Sequence, residues 1–176
     1  MEVRCRLFRC TQGSSSPLTL SFEYIAAGLS TIPPEHLTPI LQRMPFDALN
    51  VGNHELYHNS TLEYLKGSGF IRHWKGAYLS SNIHWAISSV DNEDTYLGHP
   101  YTYLKGQHSG VTVLTFGFLY NFQRHCRIAT VRRVEDVVHE EWFSDVLLEQ
   151  NYDAIMVMAH MDVVDPLVQV MHDRIR

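Results

Sequence analysis

Short apolar runs alternate with longer amphipathic segments along this chain of 176 residues. Continuous apolar runs bounded by polar or glycine residues are typical of buried strands in a parallel sheet, and they occur at 46–51, 111–116 and 153–158. Between the last two runs, Val138, Trp142 and Val146 recur at helical spacing and predict a helix over 135–150. Strands that alternate with helices in this way favour an α/β fold with right-handed crossovers.

Weaker signals predict further elements. Pro33-Pro34-Glu35 favours a helix as far as Met44, with Leu37, Ile40 and Leu41 on one face. The capping-box pattern from Ser60 to Glu63 favours a second helix, which ends near Gly67 or Gly69. Short strands are expected at 3–8 and 78–83, and a polar excursion containing a hairpin at 91–110. The segment 18–27 fits helix and strand equally well.

Composition restricts the classes of protein and partner. Hydrophobic residues make up 45% of the chain and charged residues 19%, which is typical of a globular protein. A net charge of −5 argues against a nucleic-acid partner. Because no apolar run approaches the roughly 20 residues of a spanning helix, and the first residues lack an apolar signal core, we expect neither a membrane partner nor a signal peptide in this sequence. The three cysteines have no CxxC spacing and predict neither a disulfide framework nor a zinc site.

Histidines follow two of the predicted strands. In open α/β sheets, ligands bind beyond the carboxyl ends of the strands. Asn53 and His54 come after the run 46–51, and His160 comes after the run 153–158. If these two strands are neighbours, a strand spacing of about 4.8 Å brings both loops to one crevice. This arrangement predicts a metal or phosphate site.

The side chains at the first loop suit a transition metal. An amide oxygen from Asn53 and an imidazole nitrogen are ligands for zinc, manganese or iron. Gly52 is expected to allow a sharp turn at the strand end, and Glu55 is expected to orient His54 without touching the metal. The alternative is that Asn53 and His54 only cap a turn and that His160 is hydrogen-bonded to a loop.

Five segments carry a resemblance to a known family. The sequence FDALNVGNHELY at 46–57 resembles the strand and Gly-Asn-His-Glu motif of calcineurin-like metallophosphoesterases. In the same order, four further segments are similar to the fungal 5'-nucleotidase-like branch: YLSSNI at 78–83, VTVLTFGFLYNF at 111–122, VEDVVHEEWF at 134–143 and DAIMVMAHMDV at 153–163. The resemblance covers residues 28–176 as a partial phosphoesterase domain and leaves 1–27 as an N-terminal segment without clear resemblance.

This resemblance implies both a fold and an activity. The fold would be a two-sheet α/β-β/α sandwich that lacks its terminal strands, and the activity would be hydrolysis of phosphate esters, with nucleotides as the plausible substrates. By resemblance, Asn53 and His160 would ligate the second of two divalent metal ions. His54 would protonate the leaving alkoxide or stabilise the phosphoryl transition state. Relatives of full length tend to be secretory or vacuolar, while the localisation of this chain is left open.

Several motifs of the family are missing from the sequence. The Asp-x-His, Gly-Asp-x-x-Asp and Gly-His-x-His motifs are absent, and Ala159 stands where the family usually has glycine. Two neutral ligands do not offset the cost of dehydrating a divalent cation. We therefore expect an incomplete metal site and no activity from this truncated chain by itself. The alternative function is a non-catalytic scaffold or binding protein derived from the phosphoesterase fold.

Overall fold

The structure is a computed structural model that describes residues 5–9, 34–86 and 96–176, so the segment 18–27 lies outside the described residues. The strands are β1 (Cys5–Arg9), β2 (Leu49–Asn50), β3 (Tyr78–Leu79), β4 (Ile83–Trp85), β5 (Tyr101–Lys105), β6 (Thr112–Leu119), β7 (Ala129–Val131) and β8 (Ala154–His160). The helices are α1 (Pro34–Leu41), α2 (Asn59–Gly67), α3 (Phe70–His73), α4 (Val134–Val137), α5 (Glu141–Leu148) and α6 (Pro166–Ile175), and a 3-10 turn spans His54–Leu56. In this part of the chain, every helix is too short or too polar to cross a bilayer.

Four strands form the main sheet in the order β1-β8-β6-β5. Strands β1, β8 and β6 run parallel, with Phe116 opposite Val157, whereas β5 pairs antiparallel with β6. The strands expected at 111–116 and 153–158 are confirmed, and they are parallel neighbours. The segment 91–110 contains β5, but its antiparallel partner β6 begins at Thr112, so the bounds expected for the hairpin are wrong. Both β6 and β8 lie at the centre of the sheet, which explains their continuous apolar sequences.

One face of this sheet packs against helices α4, α5 and α6. Leu114, Phe116, Ile155 and Val157 alternate along β6 and β8 and are almost completely buried. Phe143 on α5 lies with its ring centroid 4.7 Å from that of Phe116. Burial of each such side chain contributes roughly 1.5–3 kcal/mol to stability before the entropic cost of ordering.

The region predicted as one helix over 135–150 forms two helices instead. Helix α4 ends at Val137 and α5 begins at Glu141, because Glu140 adopts an extended backbone with φ −70° and ψ 153°. Glu140 pairs with Arg132 and accepts a hydrogen bond of 2.6 Å from the Trp142 indole nitrogen. The pairing with Arg132, which lies outside both helices, favours the break between them. The spacing of apolar residues in the sequence gives no sign of this pairing.

A second apolar cluster lies around β2, β3 and helices α1 to α3. Several predicted elements are shorter or divided here: the strand expected at 46–51 is reduced to Leu49–Asn50, and the strand expected at 78–83 becomes β3 and β4, which belong to different small sheets. Helix α2 begins at Asn59 after the N-cap His58, without a side-chain cap, so the predicted capping box is wrong. Ile40 is 58% exposed although Leu41 beside it is buried, so Ile40 does not share the buried face.

The two layers meet very closely at the middle of β6. A Cβ atom on Gly117 would stand 2.5 Å from Leu79 Cβ and closer still to the Asn50 side-chain oxygen. Asn50 Nδ2 donates hydrogen bonds of 3.1 Å each to the carbonyl oxygens of Phe118 and Met158. The end of β2 is thereby attached to β6 and β8 together. Because β2 pairs with β3 in a separate sheet, it is not a neighbour of β8 within one sheet, so the condition stated for bringing the two loops together is not met.

Candidate functional site

Asn53 and His160 meet at the carboxyl end of β8. Asn53 follows β2 by three residues and precedes the 3-10 turn, while His160 is the last residue of β8. The His160 Nε2 atom lies 3.0 Å from Asn53 Oδ1, across a sequence separation of 107 residues. The structure therefore brings these two predicted residues together, although they come from different sheets and not from adjacent strands.

Gly52 provides space for the histidine ring. A Cβ atom at this position would stand 3.1 Å from the Glu55 Oε2 atom and 3.2 Å from the His160 Cε1 atom. Gly52 is absent from the glycines with positive φ, which among the described residues are Gly69, Gly76 and Gly110. The sharp turn expected here therefore does not use a left-handed backbone, and what favours glycine at this position is the close approach of Glu55 and His160.

Glu55 fixes the turn that carries Asn53. Its side chain is completely buried, and Oε2 accepts a hydrogen bond of 2.8 Å from the Gly52 backbone nitrogen. This contact closes the loop over the residues between them. The bond to Gly52 places one carboxylate oxygen on the turn, and the role expected for Glu55 in orienting His54 remains a prediction.

His54 begins the 3-10 turn directly after Asn53, within the described part of the chain. Its Nδ1 atom is buried there and has no hydrogen-bond partner. The ring contacts Tyr57 edge-on, with 5.0 Å between the ring centroids. A buried nitrogen that lacks a hydrogen bond costs free energy, so His54 occupies a position that packing alone does not favour.

Two aromatic residues of the site were not predicted from the sequence. The Tyr57 hydroxyl accepts a hydrogen bond of 2.9 Å from Asn53 Nδ2, and Tyr120 lies nearly parallel to the His160 ring, with centroids 6.4 Å apart. Tyr57 follows Asn53 by four residues, a helical spacing that was available as a signal. Tyr120 comes just after β6, and the pairing of β6 with β8 brings it to His160. No local pattern in the sequence therefore identifies it.

The donor atoms of Asn53 and His160 fit two neighbouring positions around one metal ion. The observed 3.0 Å is a hydrogen-bond distance between these atoms. Ligand bonds of about 2.1 Å that meet at a right angle separate two donor atoms by about the same 3 Å, so a metal ion could take the place of the hydrogen bond with little movement of the side chains. Across residues 5–9, 34–86 and 96–176, no group of three or more histidine, cysteine, aspartate or glutamate side chains is arranged to hold a metal. The described residues therefore supply part of a coordination sphere and not a complete one.

Comparison with known proteins found fungal relatives. The chain is 35% identical over 130 residues to an uncharacterised protein of Schizosaccharomyces pombe, which covers 72% of this chain and 20% of that protein. It is 31% identical over 122 residues to a protein of Arthroderma benhamiae named only as a secreted protein, with 69% and 18% covered. An uncharacterised protein of Saccharomyces cerevisiae is 30% identical over 141 residues, with 76% and 23% covered. No family model matches the sequence.

A solved structure shows the same kind of fold. The 5'-nucleotidase from Candida albicans superposes with a TM-score of 0.68 at 29% sequence identity, over 79% of this chain and 25% of that protein. The chain thus has a mixed α/β fold like that of a phosphoesterase. It spans about a fifth of the length of the relatives that it matches.

Proposed function

We propose that this chain supplies part of the catalytic centre of a metal-dependent phosphoesterase, with phosphate esters, nucleotides among them, as the substrate class. The observation that carries the proposal is the 3.0 Å approach of Asn53 Oδ1 to His160 Nε2 at a strand end. Ligands in α/β folds bind at such ends. The similarity to a 5'-nucleotidase structure supports the same reaction class.

In this proposal each side chain has a separate task. Asn53 Oδ1 and His160 Nε2 would hold a divalent zinc, manganese or iron ion. When bound, such an ion acts as a Lewis acid on a phosphoryl oxygen. His54 would hold a proton on its ring and donate it to the leaving alkoxide oxygen. Glu55 would keep the turn in place through its bond to Gly52.

A second candidate function is a non-catalytic scaffold or binding protein. It is favoured by the finding that the described residues provide only two ligand atoms at this position. The two functions differ in what binds a nucleotide. A phosphoesterase site needs the metal to hold the phosphate, whereas a metal-independent scaffold binds its ligand through the protein alone.

Manganese titration of the chain tests the proposal directly. Two neutral ligands hold the ion only weakly, but Mn²⁺ broadens the NMR signals of nearby protons even at low occupancy. We therefore expect the imidazole signals of His160 to broaden at lower Mn²⁺ than those of His172 on α6, which is hydrogen-bonded to Asp173. Asn53→Ala should weaken this effect, and His172→Ala should leave it unchanged. Broadening of the other histidines while His160 stays sharp to millimolar Mn²⁺ would refute the proposed ligands.

Nucleotide binding separates the two candidate functions. We expect adenosine monophosphate to bind the chain only with Mn²⁺ present and His160→Ala to abolish this binding. Equal binding with and without the metal would favour the scaffold. We expect no hydrolysis of the nucleotide or of an aryl phosphate above background, because two neutral ligands do not supply the charge of a complete centre. Turnover that depends on Mn²⁺ and disappears in His54→Ala would show instead that the chain completes its own site.

A further inference from the structure

We infer that Tyr57 is a positioning residue whose hydroxyl orients the Asn53 side chain so that its oxygen, and not its nitrogen, faces His160. Asn53 Nδ2 donates to the Tyr57 hydroxyl at 2.9 Å, while Asn53 Oδ1 lies 3.0 Å from His160 Nε2. The two ends of one amide are thus assigned to two different neighbours. The consequence for metal binding rests on the proposed function, whereas the orientation itself does not.

The orientation decides whether Asn53 can act as a ligand. An amide oxygen has lone pairs for a cation, whereas the amide nitrogen offers only N–H donors. Turned by half a rotation, Asn53 would present two N–H groups to the position beside His160. Because the oxygen and nitrogen have almost the same size, packing distinguishes them poorly, and their hydrogen-bond partners must do so. A hydroxyl can donate or accept, so the orientation follows from both neighbours together: the Tyr57 hydroxyl accepts from Nδ2, and His160 Nε2 lies within hydrogen-bond distance of Oδ1.

Tyr57 is itself held in place by aromatic contacts. Its ring meets His54 at 5.0 Å and Phe122 at 5.6 Å, both edge-on. Phe122 is 5% exposed, and its loop is attached to the 3-10 turn by the hydrogen bond from the Cys126 backbone nitrogen to the Leu56 carbonyl, 2.7 Å long. Edge-on aromatic pairs favour a defined ring orientation. The position of the hydroxyl oxygen beside Asn53 Nδ2 is therefore defined by the packing of the ring.

The first test uses the metal-free chain. In the wild type, the side-chain NH₂ protons of Asn53 should exchange with water more slowly than those of Asn151, which is exposed. Tyr57→Phe keeps the ring and removes only the oxygen, so the exchange of the Asn53 protons should accelerate toward that of Asn151. Tyr64→Phe is the matched control, because it removes a hydroxyl bonded to Thr38 at 3.1 Å and should leave Asn53 unchanged. Equal exchange of Asn53 and Asn151 in the wild type would overturn the inference without any variant.

The second test measures Mn²⁺ affinity at His160. Loss of one side-chain hydrogen bond corresponds to about a fivefold weaker affinity in Tyr57→Phe. An aspartate at position 53 presents an oxygen in either orientation, so Tyr57→Phe should change the affinity less than about twofold in an Asn53→Asp background. A fivefold loss in both backgrounds would mean that Tyr57 acts through packing.

The variants also separate failure of this inference from failure of the proposed function. If Asn53→Ala and His160→Ala leave Mn²⁺ binding unchanged, the metal site is wrong, and the exchange of the Asn53 amide still decides the role of Tyr57. If Asn53→Ala weakens Mn²⁺ binding but Tyr57→Phe changes neither the affinity nor the exchange, the inference about Tyr57 is wrong and the metal site stands.

Discussion

Substitution of Gly117 by alanine should separate the two layers on which the site is built. The added Cβ would stand 2.5 Å from Leu79 Cβ, about 1 Å inside ordinary contact distance. Leu79 Cβ is fixed to the backbone of β3, and the Asn50 side chain on the other side is held by two hydrogen bonds of 3.1 Å. Since neither neighbour can rotate away, the sheets themselves must move apart by about 1 Å.

The cost of this movement follows from the contacts that it breaks. Overpacking of a core costs about 1–3 kcal/mol. Lengthening both Asn50 hydrogen bonds past 3.5 Å removes about 1 kcal/mol each. We expect Gly117→Ala to lower the free energy of unfolding by about 3–5 kcal/mol in guanidinium titrations followed by tryptophan fluorescence, and to weaken Mn²⁺ binding at His160 where the variant remains folded.

Gly67→Ala is the matched control for this experiment. Gly67 is the last residue of α2, and nothing lies within 4 Å of its added Cβ. Alanine is the better helix former, so stability should stay equal or rise by about 0.5 kcal/mol. A Gly117→Ala protein within about 1 kcal/mol of the wild type would refute the reasoning, because the layers would then tolerate a methyl group at their closest point.

Two further substitutions test single polar groups. The Tyr78 hydroxyl is buried without a hydrogen-bond partner in the described residues, and burial, together with the nearby Glu55, raises the pKa of Tyr78. Tyr78→Phe should therefore leave the free energy of unfolding equal or raise it by about 1 kcal/mol. A loss of about 2 kcal/mol would contradict this expectation. Hydrogen bonds from Asn121 and Arg133 lower the pKa of Glu135 below its ordinary value of 4.5. The stability that this carboxylate contributes is present above pH 4.5 and is lost as the pH falls through the lower pKa of the folded state. The Glu135→Gln protein should therefore lose less stability than the wild type between about pH 6 and pH 3. Parallel plots of the free energy of unfolding against pH for the two proteins would contradict this prediction.

The sequence allowed the central strands of the main sheet to be predicted, but not the ends of several other elements. Strands β6 and β8 each lie between two neighbouring strands, and their apolar runs are continuous and easily recognised. The break between α4 and α5 is favoured by a partner outside both helices, because Glu140 pairs with Arg132. Local periodicity contains no information about such a partner, so the sequence predicted one helix over 135–150 where the structure has α4 and α5.

The candidate site shows the same division between local and distant determinants. The rule that ligands gather at strand ends was sufficient to bring Asn53 and His160 to one crevice, although the two strands that precede them lie in different sheets. Their approach depends on the Asn50 side chain, which joins the end of β2 to the carbonyl groups of β6 and β8 at once. Only a residue without a side chain at position 117 permits that attachment. The distance between Asn53 and His160 is thus set by the contact between two sheets, which explains why a substitution in the core should change metal binding at the surface of the fold.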